Sequence, residues 1–246
     1  VRSSVPVVFF LLLCGSMSAA AQTSLFEKGV DAYRRGDTLQ ALQAWESALE
    51  QGYESGALYY NLGNVHYRLR NTAEAILFFE RAKRLLPRDR DVAANLSFAR
   101  LAVVDRVERP PRLIIWKWVD SVRDYFSLAE LRLLFVWLSV ISAVSVIVLF
   151  LFPGRLARAI PTTIIVIWLL SGALFVWRAV LDSKPYAIIA VAKVDVKSAP
   201  DEGSKDVFAL HEGLKVRVKA NLADWLNIEL VDGRQGWIPA TEAEQI

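Results

Sequence analysis

Three rhythms of apolar and polar residues succeed one another along the chain. From Ser24 to about Ala102, apolar residues recur every three or four positions, the period of amphipathic helices. From Leu133 to Phe152, twenty consecutive residues carry no charge, and a second apolar run follows from about Ile160 to Leu181. Each is long enough to cross the roughly 30 Å hydrocarbon core of a bilayer as a helix. From Lys184 onward the rhythm becomes alternation, in "VDVK", "LKVRVK" and "WLNIEL", which is the period of half-buried strands. Val194 and Val196, then Leu214, Val216 and Val218, then Leu226, Ile228 and Leu230 are predicted to face one core, and Asp232-Gly233 to turn a hairpin. The fold class is therefore multidomain: an all-α array, an α-helical transmembrane hairpin, and a small all-β barrel.

The helical part repeats. "GVDAYRRGDTLQALQAWESALE" begins at Gly29 and "GNVHYRLRNTAEAILFFERAKR" at Gly63, an offset of 34 residues that also relates Tyr33/Tyr67, Ala41/Ala75, Trp45/Phe79 and Ala48/Ala82. Period and residue order resemble the tetratricopeptide repeat. The domain is predicted over 22–106, with repeats at about 22–55 and 56–89 and a cap helix at 91–104. Gly63, Ala75 and Ala82 belong where helices touch, Tyr67 and Phe79 in the wider gaps, and Pro87 at the end of a helix that cannot continue through it. Two departures stand out: Tyr53 replaces the closing proline in the first copy, and Arg70 stands in the second where Gly36 turns the first. Two repeats and a cap are short for an array whose units bury their apolar faces only by stacking, so packing against another element is expected.

The flanks place the chain in a membrane. Arg2, the apolar run Val5–Leu13 and the small residues ending in Ala19-Ala20-Ala21 read as a signal peptide over 1–21, cleaved after Ala21. The rival reading, lipid attachment at Cys14, is disfavoured because Leu13 before it is not small. Residues 107–130 hold a proline-stiffened linker and a helix for the membrane interface, with Ile115, Trp118, Val119, Val122 and Phe126 on one face. Ser127 and Glu130 form a capping box for the first span, 131–152. A loop at 153–159 carries Arg155 and Arg158 without an acid, which favours the cytoplasm, and the second span covers 160–181 with Arg178 reaching toward the interface. Together these predict a two-pass protein of the bacterial cytoplasmic (inner) membrane with both larger modules, 22–106 and 184–246, in the periplasm.

Composition narrows the chemistry. The hydrophobic fraction is 54%, above the roughly 45–50% of soluble domains, and the excess lies in the spans. A net charge of +3, spread among alternating acids and bases, gives no basic patch for nucleic acid. One cysteine excludes an intramolecular disulfide, and two distant histidines offer no metal-ligand spacing. Neither a phosphate-binding glycine loop nor a nucleophile elbow is present. His66 and His211 read as packing and turn residues. The expectation is a protein without cofactor, metal or catalytic site.

Function is sought on the first helices of the repeats, which in such arrays face an extended peptide. Phe26, Val30, Tyr33 and Arg34 line that face in copy one, Tyr60, Asn64, Tyr67 and Arg68 in copy two, and Asn95 joins from the cap helix. Asn64, Asn95 and Arg68 resemble part of a clamp for a peptide carboxylate, which such groups hold by paired hydrogen bonds. The tail "VDVKSAP…VFALHEGLKVRV…WLNIELVDGRQGWIPA" resembles the bacterial SH3 domain, most specifically in its opening and in Gly236-Trp237-Ile238. There, Trp225 and Trp237 are either a ligand platform or core. Signal peptide, short repeat array, membrane hairpin and SH3-like tail in this order resemble the Bacteroides aerotolerance (Bat) family across almost all 246 residues. That resemblance implies a membrane-anchored scaffold acting beside Bat proteins that carry von Willebrand A domains. The alternative is a sensor that binds peptidoglycan through the tail; membrane lipid is a partner in either case.

Overall fold

The structure, a computed structural model, describes residues 24–107, 113–151, 154–183 and 185–246. The signal peptide, Cys14 and the Pro110-Pro111 linker lie outside the described residues. Five helices form the array: α1 (24–34), α2 (Thr38–Glu50), α3 (Gly56–Arg68), α4 (Thr72–Leu85) and α5 (Arg90–Arg100). Polar side chains start three of them by accepting from otherwise unpaired N–H groups: Asp37 from Gln40, Ser55 from Leu58, and Asp89 from Asp91 and Val92. Glycine and arginine make the same turn between helices, Gly36 at φ +84° and Arg70 at φ +66°. The left-handed conformation costs a non-glycine residue about 1 kcal/mol, so the second turn is the more strained.

The 34-residue period is a packing period. A side chain on Gly29 would overlap the Trp45 indole, and a Cβ on Gly63 would lie 2.6 Å from the Phe79 ring. Trp45 and Phe79 are fully buried, so each unit is closed by one aromatic pressed on one glycine. Tyr67 departs from the expectation that it fills a gap. It is 46% exposed, because Phe79 lies directly over Gly63 and takes up the space between α3 and α4.

A short helix, α6 (Ile114–Tyr125), precedes the hairpin of α7 (Leu128–Leu151) and α8 (Arg155–Asp182). Ile114, Ile115, Trp116 and Trp118 of α6 are all exposed. The capping box forms: Ser127 N–H donates to Glu130 Oε2 (2.9 Å) and Glu130 N–H to Ser127 Oγ (3.3 Å). The connection is shorter than 153–159, since α8 begins at Arg155 and carries Pro161 inside it. Phe135 stacks on Trp168 and Phe175 where Gly172 leaves room for its ring, and Trp168 donates to Ser139 Oγ at 2.8 Å. Both helices are long and apolar enough to cross a membrane, over Leu128–Ile147 and Ala159–Asp182. Their outer residues, such as Trp137, Ile147 and Leu170, remain exposed. Arg178 does not extend outward as expected. Its side chain is 9% exposed and bound to Asp124 Oδ1 (2.6 Å) and Asp182 Oδ2 (3.1 Å), two carboxylates that hold the guanidinium in place.

The tail is one antiparallel sheet of seven strands: β1 (Tyr186–Ile189), β2 (Lys193–Lys197), β3 (Asp206–His211), β4 (Lys215–Leu222), β5 (Trp225–Glu229), β6 (Gln235–Pro239) and β7 (Ala243–Gln245). Their order is β3-β2-β6-β5-β4-β1-β7. Val194, Val196, Val216, Val218, Leu226, Ile228 and Leu230 share its buried cluster, with Leu214 packed against it. Gly233, at φ +93°, turns the β5–β6 hairpin.

The array and the sheet pack together. On β1, Ala187 and Ile189 point into the sheet's own core, while Ile188 between them joins the buried cluster of α4 and α5, as the two-residue period of a strand dictates. Asn71 makes no side-chain cap for α4; Glu212 of the sheet accepts from the Ala73 N–H instead (3.0 Å). Asp105 accepts from the His211 N–H (2.6 Å) and contacts its ring at Nδ1 (2.9 Å). Glu80 of α4 is bound by Lys215 of β4 (2.9 Å) and by Arg100 of α5. Further along α4, Arg84 donates to the Asp182 carbonyl (2.8 Å), and beyond its end Arg88 pairs with Glu130. The far side of the second repeat is thus covered by the sheet and by the ends of the hairpin, and both larger modules sit at the same end of that hairpin.

Candidate functional site

With α4 covered, the open face of the array is the row of first helices, α1, α3 and α5. Tyr60, Asn64, Tyr67 and Arg68 are spaced at i, i+4, i+7 and i+8, which puts them on one side of α3. The Arg68 guanidinium lies over the Tyr33 ring, 4.2 Å from its centroid, tying α3 to α1. Asn95 Nδ2 donates to Asn64 Oδ1 (2.7 Å) and to Tyr60 Oη (3.2 Å), tying α5 to α3. Tyr60 is steadied from behind by Phe79, with ring centroids 6.1 Å apart. Arg34 stays apart from this set, paired with its neighbour Asp31 at 3.8 Å and exposed.

These contacts leave defined groups facing outward. Asn95 occupies the Asn64 carbonyl oxygen, and the Asn64 amide nitrogen has no partner among the described residues. One turn along, Arg68 presents the donors not used in stacking, and Tyr67 beside it is exposed. An amide donor, a guanidinium and a phenol on one face suit an extended backbone or a carboxylate.

On the sheet, Trp225 and Trp237 are half-buried and absent from the inner cluster. Trp225 pairs with Pro239, and Trp237 with Asn227, so both rings project from the face opposite Leu226, Ile228 and Ile238. Leu222, opposite Trp225 on β4, is exposed on the same face. The sheet therefore carries an outward aromatic surface.

His66 is a packing residue, buried and stacked on Phe78 at 5.2 Å, with Nδ1 3.4 Å from the Asn71 amide. Burial pushes its pKa below the usual histidine value. Among the described residues, no group of three or more His, Cys, Asp or Glu side chains is placed to hold a metal ion.

The sequence alone does not show that Glu80, Lys215, Glu212 and Asp105 join the modules, and it reads His211 as a turn residue only. One signal was available. Glu80 follows Ile76 and Leu77 at helical spacing on the apolar stripe of α4, where an acid is rare unless paired. Burial raises its pKa, but Lys215 and Arg100 beside it outweigh that and hold the carboxyl below the usual range.

Residues 26–90, spanning nearly all of both repeats, match the family model of the tetratricopeptide repeat. A comparison of the chain with curated proteins finds no match. The tetratricopeptide repeat is a non-catalytic protein-interaction module, so the match suggests a protein-interaction role for the array.

Proposed function

We propose that the protein is a non-enzymatic, membrane-anchored scaffold that holds an extended segment of a partner protein along α1, α3 and α5. The observation that carries this reading is the division of the array into two sides. The α4 side is covered by the sheet and hairpin, whereas on the other Tyr67 and Arg68 are exposed and Asn64 is half-buried beside them. The paired arginines at the hairpin turn, Arg155 and Arg158, favour a cytoplasmic turn and hence larger modules on the periplasmic side of the inner membrane. The resemblance to Bat proteins of the BatE type names the partners to seek, proteins with von Willebrand A domains.

The test is capture of partners from solubilised membranes by the full chain. Tyr67→Ala with Arg68→Glu is expected to lower recovery of a von Willebrand A partner at least tenfold, since a stacked cation and an aromatic each contribute about 1 kcal/mol or more at an interface. Undiminished recovery would remove this face from consideration. A reporter after Ile246 that is active only in the cytoplasm would overturn the orientation.

The outward pair Trp225 and Trp237 favours a second reading, peptidoglycan binding by an SH3-like tail. The full chain in detergent should then sediment with purified peptidoglycan, and Trp237→Ala should leave it in the supernatant. No sedimentation of the unaltered chain at low salt removes this reading.

A further inference from the structure

A cavity of about 290 Å³ opens where the three modules meet, lined by Lys83, Arg84, Asp124, Arg178, Asp182 and Lys215 among others. Its size is at the lower end for ligand sites, which run from about 300 Å³, and fits a small polar group. Its walls come from α4, α6, the last turn of α8, β1 and β4.

Charge and depth narrow what it takes. Arg178 sits on Asp124 and Asp182, and Lys215 on Glu80, so these cations are neutralised by carboxylates. Lys83 is not: among the described residues, its acceptor is the carbonyl of Pro87, at 2.6 Å. Arg84 beside it donates to the carbonyl of Asp182 (2.8 Å) and to the main-chain oxygen of Ile246 (2.9 Å). A half-buried ammonium met only by a carbonyl favours an anion at its remaining donors. Leu181 and Asp182 end the segment Ala159–Asp182 that is apolar enough to span a bilayer. On the reading that the hairpin spans the membrane, the cavity lies at the depth of the lipid headgroups.

We propose that this cavity binds the phosphate of a phospholipid headgroup, with Lys83 as its principal donor and Arg84 supporting it. A bound headgroup touches α4, α6 and α8 together, and so fixes how the array stands on the membrane.

The experiment uses the full chain in detergent, melted in the presence of short-chain phosphatidylethanolamine, diacylglycerol of the same chain length, or inorganic phosphate. At a hundredfold excess over Kd, the phospholipid is expected to raise the melting temperature by about 5 °C and diacylglycerol to leave it unchanged. Lys83→Ala should abolish the rise, and Lys83→Arg should restore it, which separates loss of the site from loss of the fold. Equal rises with diacylglycerol, or a rise that survives Lys83→Ala, overturn the proposal. An equal rise with inorganic phosphate overturns its lipid source. Failure of the anchoring reading is a distinct result, a chain that stays soluble without detergent.

Discussion

Glu80→Gln is expected to weaken the union of array and sheet by about 2 kcal/mol at neutral pH. Glu80 is buried, with its side chain 8% exposed, and its two oxygens are taken by Lys215 from the sheet and Arg100 from α5. Glutamine keeps the shape but not the charge, so both cations then face a neutral amide. Removing one partner of a buried ion pair costs about 3–5 kcal/mol. The estimate sits below that range because Lys215 and Arg100 are a third or more exposed and regain water. A melting temperature lower by about 6 °C follows for a chain of this size. The acid test is sharper. The pKa of Glu80 is depressed in the folded protein, so its contribution is complete above the ordinary value of 4.5 and disappears as pH falls through the lower folded value. The two proteins should therefore differ at neutral pH and converge in acid. A constant difference at every pH would show that the charge of Glu80 is not what joins the modules.

Gly63→Val is expected to cost about 3 kcal/mol, or about 10 °C in melting temperature. Its Cβ alone would lie 2.6 Å from the ring of Phe79, which is fully buried and has Tyr60 against its other side. Neither α3 nor the ring can yield without opening the contact between the two helices of the repeat. Combining Gly63→Val with Phe79→Leu should recover part of the loss, because a smaller side chain returns the missing volume. Measured by thermal unfolding, a single variant as stable as the parent would mean that the glycine is not required for close packing. A double variant worse than either single one would place the strain elsewhere.

Legibility in the sequence followed the range of the interactions. The 34-residue repeat, the capping box at Ser127 and Glu130, the two apolar spans and the inward set from Val194 to Leu230 depend on residues near in sequence or on a simple period. Tyr67 was misplaced because its repeat position is shared by a filled gap and an open face, and only the Phe79 ring shows which it borders. Arg178 was misread for a related reason. Its own helix suggests an outward reach, but Asp124, which holds it, is 54 residues away on α6.

By itself, the sequence determined the modules and their order, since helical, spanning and strand periods are local records of which faces avoid water. It also placed Tyr33, Tyr60, Asn64, Arg68 and Asn95 on the first helices. Only the tertiary structure decided that Asn95 pairs with the Asn64 carbonyl oxygen, and that the sheet completes the short array through Ile188, Glu212 and Lys215. Those contacts join groups more than a hundred residues apart, or helices that meet only when stacked. Their partners carry no mutual spacing in the chain, so the physical cause of the assembly becomes visible only once it has folded.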